Sequence, residues 1–408
     1  MVAFVDHPPR SLHPRLVMAD PVQVDDATTC ARPPLERPSV TRPISPPLIL
    51  SSVYQVEDLA QVDAIYNGEA SGFIYARDSH PNAVQLAAKL AELEGAEAAL
   101  VCASGMAAES ALFLAMLDAG DHVALSEGLY GRTGGLVGRE LARFGVECSY
   151  FDATRADSLH DALRPRTKLA FVETISNPLA RVSDIAGLAD IAHEASVSLA
   201  VDHTFAPLLC RPIELGADFV LHSATKLIGG HSDVTLGVVL GRKASIDRLA
   251  NLASTFGLTG NPFDSWLALR GLATLALRVR RTSETALEIA TRLARHPSIA
   301  TVNYPGLSSH PDHALATRMF PHGHGAMMSF DVGGREQADA LIQRLEHIPY
   351  APSLGDVSTT LSHPATTSHR FQSPEQWAKQ GITHGLIRLS IGLEDVEDLW
   401  QDLGQALG

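Results

Sequence analysis

Asp218-Phe-Val-Leu-His-Ser-Ala-Thr-Lys-Leu-Ile-Gly-Gly-His-Ser-Asp233 is the stretch from which the rest of this 408-residue chain can be read. Phe219, Val220 and Leu221 form a short apolar run of the kind that makes a buried strand. The run then breaks into hydroxyls at Ser223 and Thr225, one lysine at Lys226 and the glycine pair Gly229 and Gly230. A lysine just past a buried strand is partly stripped of water, which lowers its pKa and frees the amine to attack an aldehyde. Small hydroxyls and pliable backbone beside it suit a phosphate. The combination fits a Schiff base to pyridoxal phosphate; in isolation, a surface lysine after a strand would look the same.

Working outward, apolar runs at 98–102, 122–125, 147–151, 168–173, 198–202 and 218–221 read as strands. Helical patterns fill the gaps at about 105–118, 132–144, 156–163 and 183–195. That alternation predicts βαβ units, hence a mostly parallel α/β sheet with helices on both faces. Residues 233–241 read as a further strand, open to an antiparallel placement. Upstream, residues 1–47 are rich in proline and show no period, which predicts an extended, partly disordered arm. A lead-in at 48–68 carries a short helix near 56–66, and the polar loop Gly72–Pro81 precedes a helix near 82–94. Past Gly257–Pro262 a long helical stretch over 263–295 opens a smaller unit that mixes strands (299–304, 326–332, 387–391) with helices (335–346, 394–406). The expected division is an arm (1–47), a large domain with its lead-in (48–262) and a small C-terminal domain (263–408).

Composition narrows the function. With 45% hydrophobic and 19% charged residues the chain is ordinary globular protein, and a formal charge of −14 argues against nucleic acid or an anionic membrane as partner. The four cysteines (Cys30, Cys102, Cys148, Cys210) have neither paired nor metal-ligand spacing, as expected in a reducing compartment. No secretory signal or bilayer-length apolar run is present, so a cytoplasmic protein without a metal is expected.

Ligands of doubly wound sheets collect at the carboxyl ends of the strands, and four loaded spots fall there. Ser104-Gly105-Met106 opens a helix after the strand at 98–102; it is either a phosphate cradle of free N–H groups or an unremarkable small-residue helix start. Tyr130 follows the strand ending near Ser126 and could stack on a planar cofactor or simply pack. Asp202 closes the strand Ser198–Asp202, as the partner of a protonated pyridine nitrogen or as a helix cap. Lys226 is the fourth.

Taken together these residues resemble the Cys/Met-metabolism (transsulfuration) family of pyridoxal-phosphate enzymes, from about residue 45 to the end. The family holds cystathionine γ-synthases and γ-lyases, methionine γ-lyases and acyl-homoserine sulfhydrylases. The resemblance rests on Ser223–Asp233, Ala103-Ser-Gly-Met-Ala107, Glu173-Thr-Ile-Ser-Asn-Pro178 and Leu269-Arg-Gly-Leu272. Tyr304-Pro-Gly-Leu307, Ser309-His-Pro311, Ser353-Leu-Gly-Asp356, His363-Pro-Ala365 and Gly385–Asp395 complete the set. It implies the aspartate-aminotransferase-like fold, a large mostly parallel domain followed by a smaller α/β domain. It also implies roles: Lys226 as Schiff-base lysine and proton shuttle, Asp202 on the pyridine nitrogen, and Tyr130 stacked on the ring and assisting proton transfer. Ser104, Gly105, Met106, Ser223 and Thr225 would hold the phosphate, with Tyr75 and Arg77 from a neighbouring subunit. Asn177 would serve cofactor and substrate, and Arg388 with Ser353 the substrate carboxylate, a task suited to a planar guanidinium. Homotetramers whose sites are shared between subunits follow from the same resemblance.

The chain departs from the family pattern at His80 and His203, where asparagine is usual. Pro352 stands where cystathionine-handling members carry glutamate, and Arg132 where methionine γ-lyases carry cysteine. Loss of the glutamate removes a partner for a distal ammonium. The expected reaction is therefore γ-elimination of the methionine γ-lyase type, in methionine and cysteine metabolism. The alternatives are an O-acetyl- or O-succinylhomoserine sulfhydrylase, or a cystathionine γ-synthase or γ-lyase. A pyridoxal-phosphate-binding protein without catalysis is the remote reading. A nucleotide-binding enzyme is disfavoured, since no Gly-x-Gly-x-x-Gly follows the first strand.

Overall fold

The computed structural model describes residues 43–370 and 372–408, so the proline-rich arm lies outside the described residues up to residue 42. Pro46–Gly408 form one compact unit. Its lead-in holds helix α1 (Leu59–Tyr66), and residues 52–54 pair with 74–76 in an antiparallel bridge of two backbone hydrogen bonds around Val53 and Tyr75. Helix α2 (Pro81–Glu94) follows, and here the histidine departure explains itself. His80 is the N-cap: its Nδ1 accepts from the Ala83 N–H at 3.1 Å while its Nε2 donates to the Gly260 carbonyl at 3.0 Å.

The large sheet then assembles from β1 (Ala98–Cys102), β2 (His122–Ser126), β3 (Glu147–Phe151), β4 (Thr167–Glu173), β5 (Ser198–Asp202), β6 (Phe219–His222) and β7 (Gly237–Gly241). Between them run α3 (Gly105–Met116), the short α4 (Gly131–Gly135), α5 (Asp157–Ala162) and α6 (Ile185–Glu194). The expected helix at 132–144 is not one α-helix: after α4 it relaxes into a π-turn at Leu136–Glu140 and a 3-10 turn at Leu141–Phe144. Gly131, Gly134, Gly135 and Gly138 in that short stretch weaken regular helix.

Spatial order in the sheet is β1-β7-β6-β5-β4-β2-β3. Neighbours from β6 to β3 are parallel, whereas β7 runs antiparallel to both β6 and β1. Two successive reversals leave β1 parallel to β6. The carboxyl ends of β1, β2, β4, β5 and β6 consequently share one edge. Side-chain alternation splits the sheet between two cores. Ala170, Val172, Leu199, Val201 and Val220 pack with α2, α5 and α6, while Leu169, Phe171, Ala200, Phe219 and Leu221 pack with α3. Apolar residues on both faces are what a parallel sheet buried between helices requires.

A helix the spacing did not predict, α7 (Lys243–Phe256), covers the second core with Ile246, Leu249 and Ala253. The long stretch predicted at 263–295 divides at Ala273–Thr274 into α8 (Pro262–Leu272) and α9 (Leu275–Leu293). The remainder builds β8 (Thr301–Asn303), α10 (His313–Met319), β9 (Met327–Asp331), α11 (Arg335–Arg344), β10 (Thr360–Ser362), α12 (Pro374–Lys379), β11 (Leu386–Ser390) and α13 (Val396–Leu407). Its four strands form an antiparallel sheet in the order β10-β11-β9-β8. One face, with Phe330, Ile387 and Leu389, packs on α9, α11 and α13. The alternate residues Ser329, Arg388 and Ser390 lie on the other face, buried as well. No helix among the described residues is long and apolar enough to cross a membrane.

Candidate active site

The turn after β6 sets the lysine. Lys226 is half-buried, and its Nζ donates to the Ser353 hydroxyl at 3.2 Å. Burial first, and then the positive charge of Arg388, push its pKa below the usual lysine range. The turn itself is held by a buried arginine from α9. Arg278 donates to the carbonyls of Leu227 (2.6 Å), Ile228 (3.2 Å) and Gly271 (2.9 Å). Gly229 and Gly230 pack against this region, and a Cβ on Gly230 would collide with the guanidinium.

The start of α3 faces the same turn. Ser104 caps the helix by accepting from the Ala107 N–H at 3.0 Å, which leaves the N–H groups of Gly105 and Met106 free of that cap. A Cβ on Gly105 would sit 3.0 Å from the Ser223 Cβ and 3.1 Å from its Oγ, so only glycine lets this backbone approach the 223–226 turn so closely. Across from it, a Cβ on Gly237 would run into the Ser104 carbonyl. Thr225 fixes its hydroxyl between the carbonyl (3.2 Å) and N–H (3.0 Å) of Leu236, and the Ser223 N–H donates to Thr204 Oγ1 at 2.8 Å.

At the end of β5, Asp202 accepts from the Thr204 N–H at 2.8 Å. Among the described residues no lysine or arginine pairs with it; burial raises its pKa, opposed by the Thr204 hydrogen bond and by His222 nearby. Two further buried carboxyls share this region. Glu173 is its register partner on β4, and Glu109 accepts from Thr133 Oγ1 at 3.0 Å with its Oε2 unpartnered. Burial and then the Asp202 charge push Glu109 up to about 8 and Glu173 well above the carboxylate range. Three carboxyls so placed cannot all be ionised, and a cation above Asp202 would settle the charge there.

The remaining groups converge from both sheets. The Tyr130 N–H donates to Glu173 Oε1 at 2.6 Å, and the Asn177 N–H donates to the other oxygen of the same carboxylate at 3.2 Å. Arg388, on the polar face of β11, donates to Asn177 Oδ1 and to the Ser353 carbonyl, each at 3.1 Å. Burial lowers its pKa to about 10, which leaves it cationic at neutral pH. His369 lies beside this arginine, and burial, then the Arg388 charge, lower it to about 4, so the ring is neutral.

Lys226, Ser353, Arg388, Asn177, Tyr130 and Asp202 thus stand along one edge with the Ser104-Gly105-Met106 turn. Tyr75 and Arg77 do not join them in this chain. Both are exposed, the guanidinium 5.2 Å from the tyrosine ring centre, without a hydrogen bond to the others. Arg132 and Pro352 are exposed too. His203 is buried, its Nδ1 2.7 Å from Thr174 Oγ1 and its Nε2 donating to the Cys210 carbonyl at 3.1 Å. Both nitrogens being engaged, the ring is neutral and structural, and burial lowers its pKa to about 4. The sequence reading passed over Glu173, Glu109, Arg278 and His369. Glu173 alone left a signal there, as the first residue of a matched motif.

The residues present fit pyridoxal phosphate. A carboxylate without a basic side-chain partner among the described residues, a lysine of lowered pKa and a glycine-lined helix start occur at the same edge of the large sheet. The fold and these groups define a pyridoxal-phosphate-dependent enzyme. The model of the Cys/Met metabolism PLP-dependent enzyme family matches residues 27–408, and the chain belongs to that family. It is similar to a cystathionine gamma-lyase of Bacillus subtilis (strain 168), 42% identical over 358 residues, covering 87% of this chain and 93% of that protein. It is also similar to an L-methionine gamma-lyase of Porphyromonas gingivalis, 39% identical over 369 residues, covering 89% and 92%. Among solved structures it resembles a Campylobacter jejuni protein assigned as O-acetylhomoserine (thiol)-lyase, which carries a pyridoxyl-lysine phosphate residue. That likeness has a TM-score of 0.87 at 33% identity and covers 90% of this chain and 96% of that one.

Proposed function

We propose that this enzyme eliminates the γ-substituent of a sulfur amino acid without a distal ammonium, as a methionine γ-lyase does. Methionine and water would give 2-oxobutanoate, ammonia and methanethiol. The observation that carries this reading is at Pro352. It is exposed next to Ser353, whose hydroxyl meets Lys226, so the position flanking the reactive amine offers no carboxylate to an ammonium.

Bound pyridoxal phosphate supplies an aldehyde for the substrate amine and a ring that accepts electrons when a proton leaves Cα. Everything else falls to the chain. Lys226, with its lowered pKa, takes the Cα proton and returns protons later. Arg388 receives the substrate carboxylate in a bidentate fork, pre-aimed by its hydrogen bonds to Asn177 and Ser353. Asp202 would keep the pyridine nitrogen protonated, Tyr130 would cover the ring, and Gly105, Met106, Ser223 and Thr225 would hold the phosphate. Tyr75 and Arg77, exposed here, complete the phosphate site of a second copy, in dimers that pair into tetramers.

A second reading has its own observation. Arg132 is exposed two residues from Tyr130, with no hydrogen bond among the described residues, which would suit the anionic tail of O-succinylhomoserine and hence a sulfhydrylase. Product analysis separates the two. The holoenzyme is incubated with methionine, cystathionine and O-acetyl- or O-succinylhomoserine, with and without sulfide. The lyase reading expects 2-oxobutanoate and methanethiol from methionine. Homocysteine from an acyl-homoserine plus sulfide, at the higher kcat/KM, would replace it with the sulfhydrylase.

A further inference from the structure

Tyr130 and Asn177 belong to different loops, one after β2 and one after β4, yet a single side chain touches both. Glu173, the last residue of β4, accepts the Tyr130 N–H on Oε1 at 2.6 Å and the Asn177 N–H on Oε2 at 3.2 Å. Both oxygens act as acceptors, one for each loop; the two N–H groups aimed at them oppose the upward push of burial and favour the charged carboxylate, which presents no donor of its own. A cavity of about 170 Å³, lined by Glu173, Ser126, Asn177 and Gln380 among others, adjoins these groups. Asn177 in turn holds Arg388, so the clip extends to the guanidinium on the second sheet.

We propose that Glu173 is a positioning residue: it ties the Tyr130 loop to the Asn177 loop and thereby sets the ring-covering aromatic and the carboxylate-binding end at their working distance. This rests on the roles proposed above for Tyr130 and Asn177. Glu173 itself touches neither substrate nor reacting atoms. Its effect is geometric, and geometry is costly to lose, since a misplacement of ~1 Å can lower a rate about a hundredfold.

The test uses holoenzyme carrying Glu173→Gln or Glu173→Asp, with Tyr130→Phe and Asn177→Ala as controls. Kinetics are taken per cofactor-loaded site. Glutamine keeps the shape but turns an N–H donor toward one of the two N–H groups, so one loop is released. The expected result is a fall in kcat with a rise in KM, together about ten- to a hundredfold in kcat/KM. Glu173→Asp, with both oxygens on a shorter stem, should recover part of that loss. Glu173→Gln placed on Asn177→Ala should cost less than the product of the single effects, because the side chain that the clip would position is already gone, although its backbone N–H remains. A merely structural glutamate would shift thermal stability and leave both constants of the loaded enzyme within twofold; that result overturns the proposal, as do effects that simply multiply. Should Glu173→Gln fail to load cofactor, Glu173→Asp is judged by the same constants. If Tyr130→Phe and Asn177→Ala are themselves silent, the site reading fails and takes the clip with it. Active-site controls that are crippled beside a silent Glu173→Gln remove the clip alone.

Discussion

At Lys226 the chain acts on one ammonium group in two ways, by enclosing it and by setting the Arg388 charge nearby, and both favour the free amine. Replacing it should therefore remove nucleophile and base together. Lys226→Ala is expected to lose at least about three orders of magnitude in turnover while still binding the cofactor non-covalently. Borohydride reduction followed by peptide mapping checks it: the tag should fall on residue 226 in the parent and vanish in the variant. A tag on another lysine would displace the assignment. Lys226 and Asp202 were legible in the sequence because strand ends are recognisable from apolar runs, and a lone charged residue there is chemically conspicuous. Glu173 was not, although it closes β4 just as Asp202 closes β5. Its importance lies in two backbone N–H groups that the sequence places 43 residues before it and four after it, a relation only the folded chain displays. His369 was hidden for a similar reason, being set by the second sheet against Arg388.

Among the elements, α9 reaches furthest into the site without presenting a functional group to it. Its Arg278 donates to three carbonyls, at the turn following Lys226 and at the end of α8, and to the Thr274 hydroxyl, one acceptor more than the three donors of an ammonium could serve. Arg278→Met should leave the Leu227 and Ile228 carbonyls unpaired, costing about 3 kcal/mol. The urea midpoint of the holoenzyme measures it, and hydrogen exchange at residues 227–230 should quicken in step. An unchanged midpoint with unchanged exchange would mean that the turn is held by packing. The sequence predicted one helical stretch where α8 and α9 meet, because the apolar period continues almost unbroken across Ala273–Thr274. It did not predict α7, because Ile246, Leu249 and Ala253 are the only buried residues of that helix and make a faint apolar stripe. The parallel strands were the most legible elements, since burial on both faces leaves continuous apolar runs. The antiparallel turn of β7 was open in sequence, for direction is a property of neighbours rather than of composition.

For the whole molecule, the open question is how many chains make one site. Tyr75 and Arg77 stand exposed on the lead-in, apart from the edge that holds Lys226, which supports the proposal that they serve a second copy. Arg77→Ala and Lys226→Ala should each be nearly inactive. Co-expressed with random pairing, half of the dimers are mixed, and each mixed dimer has one intact site, so about a quarter of the parent activity should return. Verified mixed dimers as inactive as the parents would place Arg77 within its own chain's work. One feature of the large sheet also governs the timing of each chain's life. Strand β1 has a single hydrogen-bonded neighbour in that sheet, β7, whose first residue, Gly237, pairs with Cys102 from 135 residues further along the chain. A ribosome adding ~5–20 residues per second delivers the Ser104-Gly105-Met106 turn on the order of ten seconds before its supporting strand exists. During that interval β1 can pack on α2 but has no strand to pair with in the sheet, and for most of it there is no Lys226 either. The edge that holds Lys226 is thus completed only once residue 241 has been made, and a chain cut short before it lacks the strand that flanks the Ser104-Gly105-Met106 turn.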